Sequence, residues 1–248
     1  MIIGPKARLA CARTKQRFVE AAMARPREFD EDQALEKALL VFWDKGYEGT
    51  SLADLLAEMG LTKSSFYKAF GCKKDLFRKI SKLYDEDYLK FEREALAEPT
   101  PRAIVERLLY GAAEFQTGSR TPMGCLFVNG ALSSSAEGDP IRYELCKFRD
   151  ALRRALRKRF EETKSAGPLP PGTNSQEAAL YVASIINGMA VLAKGGANRK
   201  QLQDVVRTAL LSWPHRRNAS SGASSKRAMR SGSRRSINEA KPSKFAQL

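Results

Sequence analysis

The chain has 248 residues, 43% of them hydrophobic and 29% charged, and 43 Lys and Arg against 28 Asp and Glu give a formal net charge of +15. This balance supports a packed core in one large domain or two small ones and excludes wholesale disorder. No stretch approaches the roughly 18 to 20 uninterrupted apolar residues of a membrane span, and the amino-terminal residues MIIGPKARLACARTKQ lack the apolar run of a secretory signal, so a soluble, cytoplasmic protein without membrane attachment is expected.

In chain order, residues 1–28 carry a net charge of +5, and 1–24 read as a basic, disordered lead. From Asp32 to Lys45 the residues Ala34, Leu35, Ala38, Leu39, Phe42 and Trp43 recur at helical spacing, and Gly46 stops the helix. Thr50 is placed to cap a second helix with the stripe Leu52, Leu55, Leu56 and Met59, and Gly60 supplies a turn where positive φ costs little. Thr62 caps a third helix, KSSFYKAF, whose Phe66 and Phe70 point one way while Lys63, Ser64, Tyr67 and Lys68 point elsewhere. Lys73 to Ala97 reads as one long helix that Pro99 and Pro101 end. Pro101 then opens another, to about Gly118. After a loop through Thr121 and Pro122, Cys125 to Ala136 reads as a buried apolar segment, and Asp139-Pro140 starts a long helix to about Ser165. The sequence GPLPPGTN breaks it, and Ser175 to Lys194 and Arg199 to Trp213, the last capped by Asn198, close the fold. Residues 214–248, rich in Ser, Gly and Arg with a net charge of +8, read as a disordered basic tail. With no alternating pattern of useful length, the prediction is an all-α fold of about nine helices. A small amino-terminal bundle over 25–72 is joined, by the helix starting at Lys73, to a larger bundle over 73–213.

Two short helices around a glycine turn form a helix-turn-helix, and its setting points to DNA. The body outside the two ends is almost neutral, yet Lys63 to Lys82 has seven basic residues against Asp75 alone. Lys63, Ser64, Ser65 and Lys68 lie on the first turns of the second helix, the part that enters a major groove. Tyr67 and Thr50 offer hydroxyls for phosphate, and Lys73 and Lys74 open the next helix, where backbone N–H groups add anion attraction. Enzymatic chemistry finds no support: GxxxxGK[ST], GxGxxG, HExxH and GxSxG are absent, and the one histidine, His215, lies in the basic tail. His215 is also far from Cys11, Cys72, Cys125 and Cys146, which are widely spaced without a CxxC pair. Free thiols are therefore expected, with no metal and no cofactor. An architectural DNA-binding protein without small-molecule control is the alternative that shares these features.

The stretch from Arg25 to Leu76, ARPREFDEDQAL leading to FWDKGYEGTSLADLLAEMGLTKSSFYKAFGCKKDLF, resembles the TetR (tetracycline repressor) family of bacterial transcription regulators. The likeness rests on Gly46-Tyr47 before Thr50-Ser51, Gly60 in the turn, Phe66-Tyr67 followed by Phe70, and Lys74-Asp75-Leu76. It departs at Ala69, where many members have histidine, and at Ser64, where glycine is common. The resemblance implies a homodimeric repressor on a palindromic operator, acting at the nucleoid and released by an unknown small molecule. Dimerisation would run through 175–194 and 199–213. Leu180, Val182, Ile185, Ile186, Met189, Val191 and Leu192 exceed the needs of one helix stripe, and Gly188 would allow close helix approach. It also implies Met23 as a natural start. The segment Thr121 to Asn129 resembles a Gly-Cys-Leu stretch of a subgroup, some of which sense electrophiles. Cys125, expected at a helix start that lowers its thiol pKa, is the candidate redox sensor, and Cys72 a second. Aromatic residues Tyr84, Tyr88, Tyr110, Phe115, Phe127 and Tyr181, with Cys125, are the candidate walls of an effector pocket.

Overall fold

Asp30 begins the first helix, its side chain accepting the Gln33 N–H at 3.1 Å. The computed structural model describes residues 30–132 and 139–214. The lead with Met23 and Cys11, and the tail with His215, lie outside the described residues.

Helix α1 (Glu31–Gly49) loses helical geometry at Gly46, whose φ of 74° marks the expected stop. Helix α2 (Leu52–Met59) corrects the predicted cap. Ser51 is the N-cap, its hydroxyl accepting the Asp54 N–H at 3.1 Å while the Asp54 carboxylate accepts the Ser51 N–H at 2.8 Å. Thr50 is one residue too early; it is buried, and its hydroxyl donates to the Gly46 carbonyl at 2.7 Å, closing the end of α1. Gly60, at φ 69° and ψ 31°, turns the chain into α3 (Lys63–Phe70), which Thr62 caps as expected. Helix α4 (Lys73–Leu83) follows.

The predicted helix from Lys73 to Ala97 is not continuous. A π turn, Tyr84–Tyr88, separates α4 from α5 (Lys90–Leu96), with the Leu89 N–H bonded to the Tyr84 carbonyl five residues back at 3.3 Å. Tertiary anchors hold both ends of the turn. The Tyr84 hydroxyl receives the Leu126 N–H at 3.3 Å, and the Tyr88 hydroxyl donates to Glu36 at 2.7 Å. Arg93 bonds the turn's carbonyls at Asp85 and Glu86. This interruption makes ten α-helices among the described residues instead of nine. The others are α6 (Pro101–Gln116), α7 (Leu126–Leu132), α8 (Asp139–Thr163), α9 (Ser175–Lys194) and α10 (Arg199–Leu210), and no strand occurs among the described residues.

Two apolar cores result. One joins α1 to α4 with Tyr84, Leu126, Phe127, Ile141 and Leu145, so the amino-terminal helices rest on α7 and α8 rather than standing apart. The other fills the space among α5, α6, α8, α9 and α10 around Leu108, Phe160, Val182, Met189 and Trp213. Helix α9 is long and apolar enough to cross a membrane by length and composition, with a mean hydropathy of 1.3. Its Ala179, Val182, Ile186, Met189 and Ala193 form one face of the helix, buried in the second core.

Candidate nucleic-acid interface and inner pocket

The outer face of α3 is built by what its inner face buries. Phe66 and Phe70 are inaccessible, their rings 5.9 Å apart, and at helical spacing this forces Lys63, Ser64, Tyr67 and Lys68 outward, all four exposed. The Thr62 hydroxyl lies 3.0 Å from those of both Ser64 and Ser65 and accepts the Ser65 N–H at 3.2 Å, which fixes the first turn. Ser65 is half-buried. Lys74 is also half-buried, and Lys73 lies over the Tyr47 ring, its nitrogen 4.4 Å from the centroid, with burial pulling its pKa down. Tyr47 was missed from sequence as the platform under Lys73. Thr50 does not reach this face, because its hydroxyl is buried and committed to Gly46, so its expected phosphate contact is withdrawn. Behind α3, the Arg78 guanidinium on α4 donates to both Glu144 carboxylate oxygens on α8, at 2.6 and 3.0 Å. The Arg78 pairing holds the Glu144 carboxyl below its ordinary range.

A small pocket of about 40 Å³ lies beneath the π turn, between it and α5, α7, α8 and α9. Of the predicted aromatic walls, only Phe127 lines it, with Cys125. Tyr84 is fully buried, 4.9 Å from both the Trp43 and the Phe127 ring centres, and Tyr88 and Phe115 pack with it as core. Tyr110 lines a different feature, an open groove of about 590 Å³ along α6, where Glu94, Glu98, Glu106 and Glu114 gather. Tyr181 is exposed on the outer face of α9 and lines neither. Cys125 immediately precedes α7, as expected, but burial pushes its thiol pKa up, against the predicted lowering; the helix start is outweighed by loss of solvent. Its sulfur accepts the Tyr84 hydroxyl at 3.4 Å. Cys72 is exposed before α4 and its thiol donates to Asp75 at 2.9 Å.

The sequence missed the pocket's polar walls. Asp85 and Glu92 come from the π turn and α5, Arg149 from α8 and Asn187 from α9. Burial first, then Asp85, pushes the Glu92 carboxyl up to about 7, with Arg93 opposing. A signal was present: Glu92 stands at the helical stripe position between Leu89 and Leu96, where an apolar side chain is the rule.

A recognition helix with a buried aromatic back and an exposed Lys, Ser and Tyr front, set behind a glycine turn, defines a helix-turn-helix DNA-binding protein. Residues 34–80 match the family described as bacterial regulatory proteins, tetR family, and residues 102–209 match the tetracyclin repressor-like C-terminal domain. The chain is 32% identical over 199 residues to the HTH-type transcriptional repressor ComR of Escherichia coli K12, covering 79% of this chain and 94% of ComR. It is 31% identical over 195 residues to the uncharacterized HTH-type transcriptional regulator YezE of Bacillus subtilis 168, covering 76% and 98%. Among solved structures, a cysteine mutant of the regulator CifR complexed with 26 bp of double-strand operator DNA superposes with a TM-score of 0.72, at 37% identity, over 77% of this chain and 100% of that one. The chain belongs to the TetR family and is a DNA-binding transcriptional regulator.

Proposed function

We propose that the chain is a cytoplasmic, homodimeric repressor that binds a palindromic operator and is released by a small molecule, without catalysis, metal or cofactor. The observation that carries this reading is the exposed face of α3. Lys63, Ser64, Tyr67 and Lys68 supply the contacts in the major groove, with Ser65, Lys73 and Lys74 flanking them. The domain division is a DNA-binding unit to residue 72 and an effector and dimer unit over 73–213. Support for the dimer comes from α9, where Leu180, Tyr181, Val191 and Leu192 are 43% to 55% exposed along one face, and from Leu211 after α10. At Gly188, on the same face, a Cβ would meet nothing within 4 Å, which leaves room for a partner helix. Two recognition helices on a twofold axis then read half-sites about 34 to 36 Å apart.

The pocket beneath the π turn is the effector site in this reading. It is about 40 Å³, room for little more than a water, so a ligand enters only by moving its walls. One wall is the π turn, which continues into α4 and so into the recognition helix. The ligand favours the displaced state and shifts the population from half-site spacing.

Fluorescence anisotropy of the full chain with the DNA upstream of its own gene, and with scrambled DNA, at several salt concentrations, tests the reading. Binding to the upstream DNA tighter by about a thousandfold or more is expected. Equal and steeply salt-dependent binding to both would replace the operator with phosphate attraction alone and favour an architectural role.

A further inference from the structure

The chemistry of the pocket points to a class of ligand, an inference that rests on the effector reading above. The wall formed by the π turn and α5 brings two acidic residues, Asp85 and Glu92, to a cavity whose other walls carry Arg149 and Asn187 beside apolar side chains such as Phe127 and Leu152. Among the described residues the Glu92 carboxyl makes no hydrogen bond or ion pair. The cation beside it, Arg93, is exposed and spends its guanidinium on the carbonyls of Asp85 and Glu86. On the far wall Arg149 bonds the Cys146 sulfur at 3.2 Å through one terminal nitrogen and leaves its buried Nε without a partner. A half-buried acid without a bonded partner, lining the same cavity as a buried donor without an acceptor, describes a site whose two ends are both incomplete.

We propose that this pocket binds a small amphipathic amine, its ammonium group held by Glu92 and Asp85, its apolar body against Phe127 and Leu152, and a hydrogen-bond acceptor at its other end taken by Arg149. A neutral ligand leaves Glu92 as unfavourable as before, and an anion entering the same small space faces two carboxyls for one guanidinium. An ammonium ion supplies the missing charge and shifts Glu92 to its ionised form. Burial and the neighbouring Asp85 already hold that carboxyl near neutrality, where the shift is within easy reach.

Three probes of similar shape separate the possibilities on the full-length protein: 2-phenylethylamine, 2-phenylethanol and 3-phenylpropionate. Binding is read by calorimetry and by quenching of Trp43, whose ring centre is 4.9 Å from that of Tyr84. Operator release is read separately by anisotropy. The amine should bind at least about tenfold more tightly than the alcohol or the acid, and Glu92→Gln should erase that preference. Asp85→Asn, at the same wall, should weaken it in the same direction and guards against a folding defect in the first variant. Equal binding of the three probes, no binding of any, or a preference that survives Glu92→Gln overturns the proposal. If the amine binds through Glu92 while the operator stays bound, the ligand class stands and the effector role falls. If the alcohol or the acid releases the operator and the amine does not, the effector role stands and the ligand class falls.

Discussion

The recognition unit and the inner pocket use charged side chains in opposite ways. In the first, ionic groups stay in water and meet partners there: Lys45 reaches Asp54 at 2.7 Å, and Lys79 reaches Glu31 at 3.0 Å. Lys63 and Lys68 stand exposed on the outer face of α3. In the second, the buried Nε of Arg149 has no partner, and the half-buried Glu92 carboxyl makes no hydrogen bond or ion pair among the described residues. Solvated charges cost the fold little and serve long-range attraction. Buried unpaired ones cost stability, and their presence marks a place where something outside the chain completes the arrangement.

The comparison breaks most visibly if the apolar backing of the recognition helix is removed. Phe66→Ala should cost about 3 to 5 kcal/mol in urea denaturation, because it empties a site with no exposure between α3 and its neighbours, and operator binding should go with it. Glu92→Gln should act in the opposite direction. Its carboxyl titrates near 7 in the folded protein against an ordinary 4.5, so the unfolded chain gives up this proton first. Stability contributed by the neutral form is full below about 4.5 and is lost as pH rises through about 7. The variant should therefore be more stable than the parent at pH 8 by roughly 2 to 3 kcal/mol, with the difference vanishing near pH 4. A parent whose stability does not fall over that interval would contradict the raised Glu92 carboxyl. Ser51→Ala should cost about 1 kcal/mol by removing the cap of α2. The smallest effect on stability belongs to Lys63→Ala with Lys68→Ala. Thermal unfolding should be unchanged, while operator affinity drops and the slope of log affinity against log salt lessens by about 4, two lysines being lost from each protomer of the dimer.

The recognition unit was legible because its signals are local. Helices α2 and α3 are short, capped at their starts and ended at Gly60 and Gly71, and the aromatic pair Phe66 and Phe70 identifies the buried side without tertiary knowledge. The one error, Thr50 for Ser51, came from two adjacent hydroxyl residues, either of which satisfies the pattern; burial against Gly46 decides between them. The pocket was legible only in part. Aromatic residues at helical spacing mark a core, but spacing cannot say which of them face a cavity, and Tyr181 and Tyr110 went to other surfaces. The raised thiol of Cys125 depends on how completely α7 and Tyr84 exclude water from it, which no neighbour in sequence reports. The interruption at Tyr84–Tyr88 is anchored at both ends by hydrogen bonds to Glu36 and Leu126, remote in sequence.

That widened turn has a mechanical meaning. An α-helix advances by about 100° per residue, so a segment holding one residue more than its turn requires stores an angular displacement of that order. Drawing the extra residue into α register would screw α4 about its axis relative to α5, carrying Arg78 away from Glu144 and turning the end to which α3 is attached. The turn is in this sense a ratchet with a single tooth, and the aromatic hydroxyls of Tyr84 and Tyr88 are its pawls.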